Sequence, residues 1–294
     1  HRNLIMRDWS RHVFIWPATL VVLLVTLFPL VYTLDLSFQN SRLVPPLPPK
    51  YIGLGNYTKL FGQERFWSVI GNTSIFVFVS VTLQYVLGFA IALALHSKVA
   101  GEKLYRITFL LPMLMTPIAV ALLWKTMFNQ QFGPLNQVFT FFGYANPPFL
   151  TENIWSYGSL ITVEVWQWTP FVILMMLAGL QSLPTDIFEA ARLENASSLQ
   201  MFLGITFPML LPLSAAVIFI RIVEAFKIID TVYIMTGGGP GIATETLTLF
   251  AYQEGLKKFN LGYTSAISFL FLVFIIIFGL IYMVILKPQI EKRR

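Results

Sequence analysis

Six long apolar runs organise the chain, at about 13–38, 69–95, 107–128, 157–180, 207–235 and 262–286, with polar residues collected between them. A hydrocarbon core about 30 Å thick requires roughly 20 apolar residues of helix, and every run meets that length. Backbone polar groups must be paired in lipid, and no period-2 alternation of the barrel kind is present. The pattern therefore predicts an all-α integral membrane protein with six transmembrane helices. Pro17, Pro29, Pro112, Pro117, Pro170 and Pro212 fall inside the runs, which predicts kinks and close packing rather than straight rods.

Composition agrees: 56% of residues are hydrophobic and 12% charged, where a soluble domain carries about 25% charged residues. The net charge of +6 is not gathered into the dense basic stripe that a nucleic-acid binder needs. Lys and Arg sit instead at the ends of the runs. With the N-terminus inside, the inner segments hold Arg2, Arg7, Arg11, Lys98, Lys103, Arg106, Arg192, Lys287, Lys292, Arg293 and Arg294. The outer segments hold Arg42, Lys50, Lys59, Arg65, Lys257 and Lys258, which favours both termini in the cytoplasm. The first run follows a basic segment but exceeds a signal h-region and lacks a small-x-small cleavage site, so it reads as a retained helix. No cysteine is present, which excludes disulfides and thiolate sites.

One polar segment stands out between the fourth and fifth runs. It reads Leu183-Pro184-Thr185-Asp186-Ile187-Phe188-Glu189-Ala190-Ala191-Arg192-Leu193-Glu194-Asn195-Ala196-Ser197 and continues to Ile205-Thr206-Phe207-Pro208. Physically it predicts two short helices around a bend. Asp186 is placed to cap the first helix, with Glu189 three residues on in capping-box register. Asn195 sits where the chain must turn, and Asn tolerates a left-handed conformation. Small Ala190, Ala191 and Ala196 would let another surface approach closely.

The segment resembles the cytoplasmic signature of permease subunits of binding-protein-dependent ABC importers of the carbohydrate-uptake type, relatives of the maltose and glycerol-3-phosphate transporter membrane subunits. That signature runs Glu-Ala-Ala, a short spacer, Gly, about nine residues, then Ile-x-Leu-Pro. Here it reads Glu189-Ala190-Ala191, Asn195 and Ile205-x-Phe207-Pro208, with Asn in place of Gly and Phe in place of Leu. The resemblance covers nearly the whole chain. Trp166-x-x-x-Pro170-Phe171, Leu177 through Pro184, Phe226-Lys227-x-x-Asp230-x-x-Tyr233 with Thr236-Gly237-Gly238-Gly239-Pro240, and Thr244-Glu245-Thr246 with Gly262-Tyr263-x-Ser265-Ala266 all match in order.

The resemblance implies a cytoplasmic tail at 1–12, a first transmembrane helix at 13–38, an extracytoplasmic loop at 39–66 and a five-helix ABC permease core at 67–286 with a coupling loop at 182–206. A cytoplasmic tail at 287–294 closes the chain. It also implies docking of Glu189, Ala190, Ala191, Arg192, Glu194 and Asn195 on an ATPase subunit. The assembly would hold a second homologous permease, two ATPase subunits and an extracytoplasmic solute-binding protein in the bacterial inner membrane. The resemblance further implies that no cofactor binds this chain and that ATP and Mg belong to the ATPase partners. On this resemblance the chain is expected to be a transport subunit and not itself an enzyme.

Ionisable residues inside a membrane are expensive and point to function. The fifth run carries Arg221, Glu224, Lys227 and Asp230 at spacings of three, so Arg221–Glu224 and Lys227–Asp230 are within pairing reach. The fourth carries Glu164 beside Trp166, Gln167, Trp168 and Phe171, and aromatic faces next to hydrogen-bonding groups suit a sugar ring. By resemblance, 166–171 and 221–228 line the translocation cavity, which adds Ala225 and Ile228. A sugar, sugar derivative, polyol or glycerol phosphate is the expected solute. Arg221 offers a planar fork suited to an anionic one, and Glu224 would cancel that charge.

Other readings fit less well. Gly237-Gly238-Gly239-Pro240 lacks the Gly-Lys-Ser/Thr ending of a phosphate loop. His1, His12 and His96 sit near ends or loops, and no metal site is suggested. An ion-coupled carrier working without ATPase subunits remains the alternative, but it predicts self-similar halves, which the sequence does not show.

Overall fold

Residues 2–96, 102–144 and 147–291 are described by the computed structural model; Lys98, Lys292, Arg293 and Arg294, which enter the charge count above, lie outside them, as does His1. The elements are α1 (Arg2–Ser37), α2 (Gly55–Phe61), α3 (Glu64–His96), α4 (Glu102–Leu114), α5 (Pro117–Met127), α6 (Pro134–Phe141) and α7 (Asn153–Gln181). They continue as α8 (Thr185–Leu193), α9 (Ser198–Met201), α10 (Phe207–Phe226), α11 (Asp230–Met235), α12 (Leu247–Tyr252) and α13 (Leu261–Glu291). Among the described residues only isolated bridges represent β-structure.

Among the described residues five helical stretches are long and apolar enough to cross a membrane, and one bent pair of helices meets the same test when taken together. The third apolar run is not one rod. Ile107–Leu114 and Pro117–Met127 meet at 103°. The cause is local: Pro117 opens α5 at its first position, and Thr116 before it is extended at φ −67°, ψ 142°. A residue preceding proline is driven out of the helical region, so continuity fails there. The fifth run also ends early. α10 stops at Phe226 and α11 restarts at Asp230, leaving the Ile228 carbonyl without a helical donor. Thr246 Oγ1 donates to that carbonyl at 3.2 Å, and Thr248 Oγ1 donates to it as well.

Residues 64–250 and 275–294 form one compact unit. Its core is the seam between α3 and α7, filled by Phe89, Ala92, Val172, Ile173, Met176 and Leu180, with Leu210 and Val217 closing it from α10. Gly179 permits the close approach of α10: a Cβ there would stand 2.3 Å from a Leu213 methyl. The last part of α13 packs on α10 through Phe219, stacked on Tyr282 at 5.3 Å, and the Tyr282 hydroxyl donates to the Ala215 carbonyl at 2.6 Å.

Residues 1–63 and 251–274 form the second unit. Buried Asn56 donates to the Ser37 and Gln39 carbonyls at 2.8 and 3.0 Å, which fixes α2 against the end of α1. Gly262 N donates to the Ser41 carbonyl and Tyr263 OH to Gln63 Oε1, tying the start of α13 to the same loop.

Candidate functional site

Glu164 and Arg221 are both buried, and they meet. Glu164 lies on α7 six residues before Pro170, and Arg221 lies on the last turns of α10. The Arg221 Nη2 donates to Glu164 Oε1 at 2.8 Å. Its Nε donates to Gln84 Oε1 on α3 at 2.9 Å, and Gln84 Nε2 donates onward to the Glu164 carbonyl at 3.1 Å. The guanidinium stands 4.8 Å from the centre of the Trp168 ring, a cation–π distance. Three helices therefore converge on one charge. A buried arginine is tolerable only when a carboxylate and further acceptors satisfy it, and here the same chain supplies the carboxylate and an amide oxygen.

The local pairing expected from spacing is replaced by a long-range one. Arg221 does not pair with Glu224; its partner is 57 residues away on another helix. Lys227 pairs with Glu224 at 2.7 Å rather than with Asp230. The helix geometry explains the swap. Arg221 faces the α3–α7 seam, whereas Glu224 and Lys227 are about half-exposed at the helix end.

Beside this cluster lies a cavity of about 230 Å³. Of the nine residues that the sequence proposed for a cavity, six line it: Glu164, Gln167, Trp168, Arg221, Glu224 and Ile228. Trp166, Phe171 and Ala225 do not line it. Trp166 meets Trp124 edge-on at 5.5 Å, Phe171 packs on the α3–α7 core, and Ala225 is buried within the helix packing. The helical turn forces this split, since consecutive residues point about 100° apart. Pro117, Lys227 and Asp230 also line the cavity, so both helix breaks contribute to it. Gln167 Nε2 donates to the Met115 carbonyl at the α4–α5 break, at 3.3 Å.

Gln84 was not among the sequence candidates. Its only sequence signal is a long polar side chain in an otherwise apolar run, and it is fully buried. Arg65 and Glu245 form a second unpredicted pair. Arg65 donates to both Glu245 oxygens, at 2.9 and 2.6 Å, and Asn72 Nδ2 donates to the Ile242 carbonyl at 2.8 Å. These bonds pin the glycine-rich loop onto α3. Within that loop the Thr244 hydroxyl donates to the Gly239 carbonyl at 2.7 Å, and Gly238 occupies φ +95°, where a side chain would be strained.

The connector after α7 is built differently. No residue of α8 or α9 is buried. Glu189, Ala190, Arg192, Glu194 and Asn195 are exposed and Ala191 is half-buried. Asn195 adopts φ 58°, the left-handed conformation its position required. Ala196 N donates to the Ala191 carbonyl and Asn195 N to the Arg192 carbonyl, both at 3.0 Å, which together make a Schellman closure of α8. The capping box is not at Asp186 and Glu189. Pro184 occupies the α8 cap position, and Asp186 lies in the first turn, where its charge still favours the helix dipole. The box closes α9 instead: Gln200 N donates to Ser197 Oγ at 3.3 Å and Ser197 N to Gln200 Oε1 at 2.7 Å.

Known proteins resemble this chain in sequence and in fold. The family described as "Binding-protein-dependent transport system inner membrane component" matches residues 84–292. A probable ABC transporter permease protein of Sinorhizobium fredii is 38% identical, over 90% of this chain and 85% of its own. A trehalose/maltose transport system permease protein of Thermococcus litoralis is 33% identical, over 92% of each chain. A chain from the crystal structure of a bacterial alginate ABC transporter, complexed with an alginate pentasaccharide-bound periplasmic protein, superposes with a TM-score of 0.85. It is 21% identical and covers 98% of both chains. With the family matched from the middle of α3 to the end of α13, this chain belongs to the inner membrane components of binding-protein-dependent ABC transport systems.

Proposed function

We propose that this chain is the permease half of an importer that carries a sugar or sugar-like solute inward, driven by ATP hydrolysis on partner subunits. The observation that carries the reading is the kinship with sugar permeases, 33% identical to the trehalose/maltose protein over 92% of both chains. The cavity supports it, because Gln167, Trp168 and the Glu224–Lys227 pair offer hydrogen bonds and a ring edge to a hydroxylated solute. Its 230 Å³ is less than the roughly 300–1,000 Å³ of a complete small-molecule site. One wall from this chain and another from a second permease would complete the pathway.

The segment 182–206 is the coupling loop of this reading, facing the cytoplasm together with both termini, and 67–286 is the permease core. Glu189, Ala190, Ala191, Arg192, Glu194 and Asn195 form a knob whose backbone is closed by its own caps and whose apolar side chains stay available: Leu193 is 85% exposed. A nucleotide-binding subunit seats on that knob, and an extracytoplasmic binding protein delivers the solute to the opposite side. Ala190→Glu tests the coupling. In the reconstituted assembly it should leave membrane abundance unchanged and abolish uptake while ATP hydrolysis continues; uptake at the wild-type rate would remove the connector from the mechanism.

A further inference from the structure

The relatives divide over the charge of their cargo: among the permeases similar to this chain, one is named for trehalose/maltose and another, 29% identical, for sulfoquinovosyl glycerol, which carries a sulfonate. We propose that the wall this chain contributes favours an uncharged saccharide and disfavours an anionic one. The inference rests on the sugar-transport reading and narrows it.

The group best suited to hold an anion is already committed. The guanidinium of Arg221 is bonded to Glu164 and Gln84, lies against Trp168, and its side chain is 3% exposed. An entering carboxylate or sulfonate would have to displace Glu164 and leave that carboxylate buried and unpaired, which is among the costliest exchanges a protein interior offers. Lys227 is the other cation on the cavity, and Glu224 answers it at 2.7 Å. Asp230 also lines the cavity and has no ion-pair partner among the described residues. Three carboxylates (Glu164, Glu224, Asp230) against two cations (Arg221, Lys227) leave the lining one negative charge in excess.

A neutral sugar meets these same groups favourably. A carboxylate accepts from up to about four directions, so Glu224 and Asp230 keep sites for hydroxyl donors, and the ammonium of Lys227 keeps protons for hydroxyl acceptors. The surplus negative charge strengthens the first kind of bond and repels an anion. Discrimination thus follows from ion pairs that close within this chain and from Asp230, which they leave over.

The test uses the complete transporter in lipid nanodiscs without its binding protein, so that only the membrane pathway is read. Methyl glucoside and methyl glucuronide differ only at the sixth carbon, and their binding is measured by saturation-transfer NMR alongside trehalose and maltose. The glucoside should bind at least tenfold tighter than the glucuronide, equivalent to about 1.4 kcal/mol. Asp230→Asn and, separately, Glu224→Gln should narrow that ratio to about threefold or less. A glucuronide that binds as tightly as the glucoside overturns the inference and leaves sugar transport standing, as does a tenfold ratio that neither variant moves. If no saccharide of either charge binds, and none is taken up once the binding protein is added, the sugar reading itself falls.

Discussion

Two charged regions of this chain solve the same problem in opposite ways. At the Glu164–Arg221 cluster, polar groups from α3, α7 and α10 bond one another across long sequence distances, and their side chains are buried. In the connector at 182–201 the backbone bonds that close the short helices join residues no more than five apart, and no residue of α8 or α9 is buried. The first arrangement binds helices together; the second preserves the shape of a small exposed surface. The energetic consequence is that interior substitutions should be read in folding, and connector substitutions in coupling.

The sharpest break in that contrast comes from Arg221→Met. It leaves Glu164 buried without its cation and should destabilise the protein by about 3–5 kcal/mol, seen as lost membrane abundance and a lower unfolding temperature in detergent. Glu164→Met in the same chain should recover most of the loss, whereas Glu224→Gln should recover none. Recovery through Glu224 would return the pairing to the local one that spacing suggested. A second effect, about 2 kcal/mol, is expected for Glu245→Ala, which removes both Arg65 bonds and frees the glycine-rich loop. Limited proteolysis within 236–246 should detect it before global unfolding does.

Connector changes should be smaller and local. Asn195→Ala places a side chain without Asn's local hydrogen bonding at φ 58° and should cost about 1 kcal/mol, while Asn195→Gly should be silent. Ser197→Ala removes the box at α9 and should cost about 1 kcal/mol or less. Hydrogen exchange of amides 185–201 measures both; a fall in the global unfolding temperature of several degrees would contradict the self-contained picture.

What the sequence made legible follows the same division. Spans are set by length and hydropathy, and the connector's bend by one residue with a left-handed conformation, so both could be read locally. The break at Thr116–Pro117 is written in the chain, yet apolar residues on both sides disguise it as one span. The cap at Ser197 is masked in the sequence by Asp186 and Glu189, which offer the same spacing one helix earlier; Pro184 takes the cap position there. Arg221's partner was illegible for a deeper reason. Spacing reports neighbours on one helix, and Glu164 and Gln84 reach it only through the packing of three.

That packing bears on how the subunit comes to exist. A span with an uncompensated arginine enters a bilayer reluctantly and waits for a partner to neutralise it. Here the compensating residues, Gln84 and Glu164, precede Arg221 in the chain and are therefore synthesised before it. By the time α10 leaves the ribosome its counter-charge has already been made, so neutralising Arg221 calls for no residue of another chain.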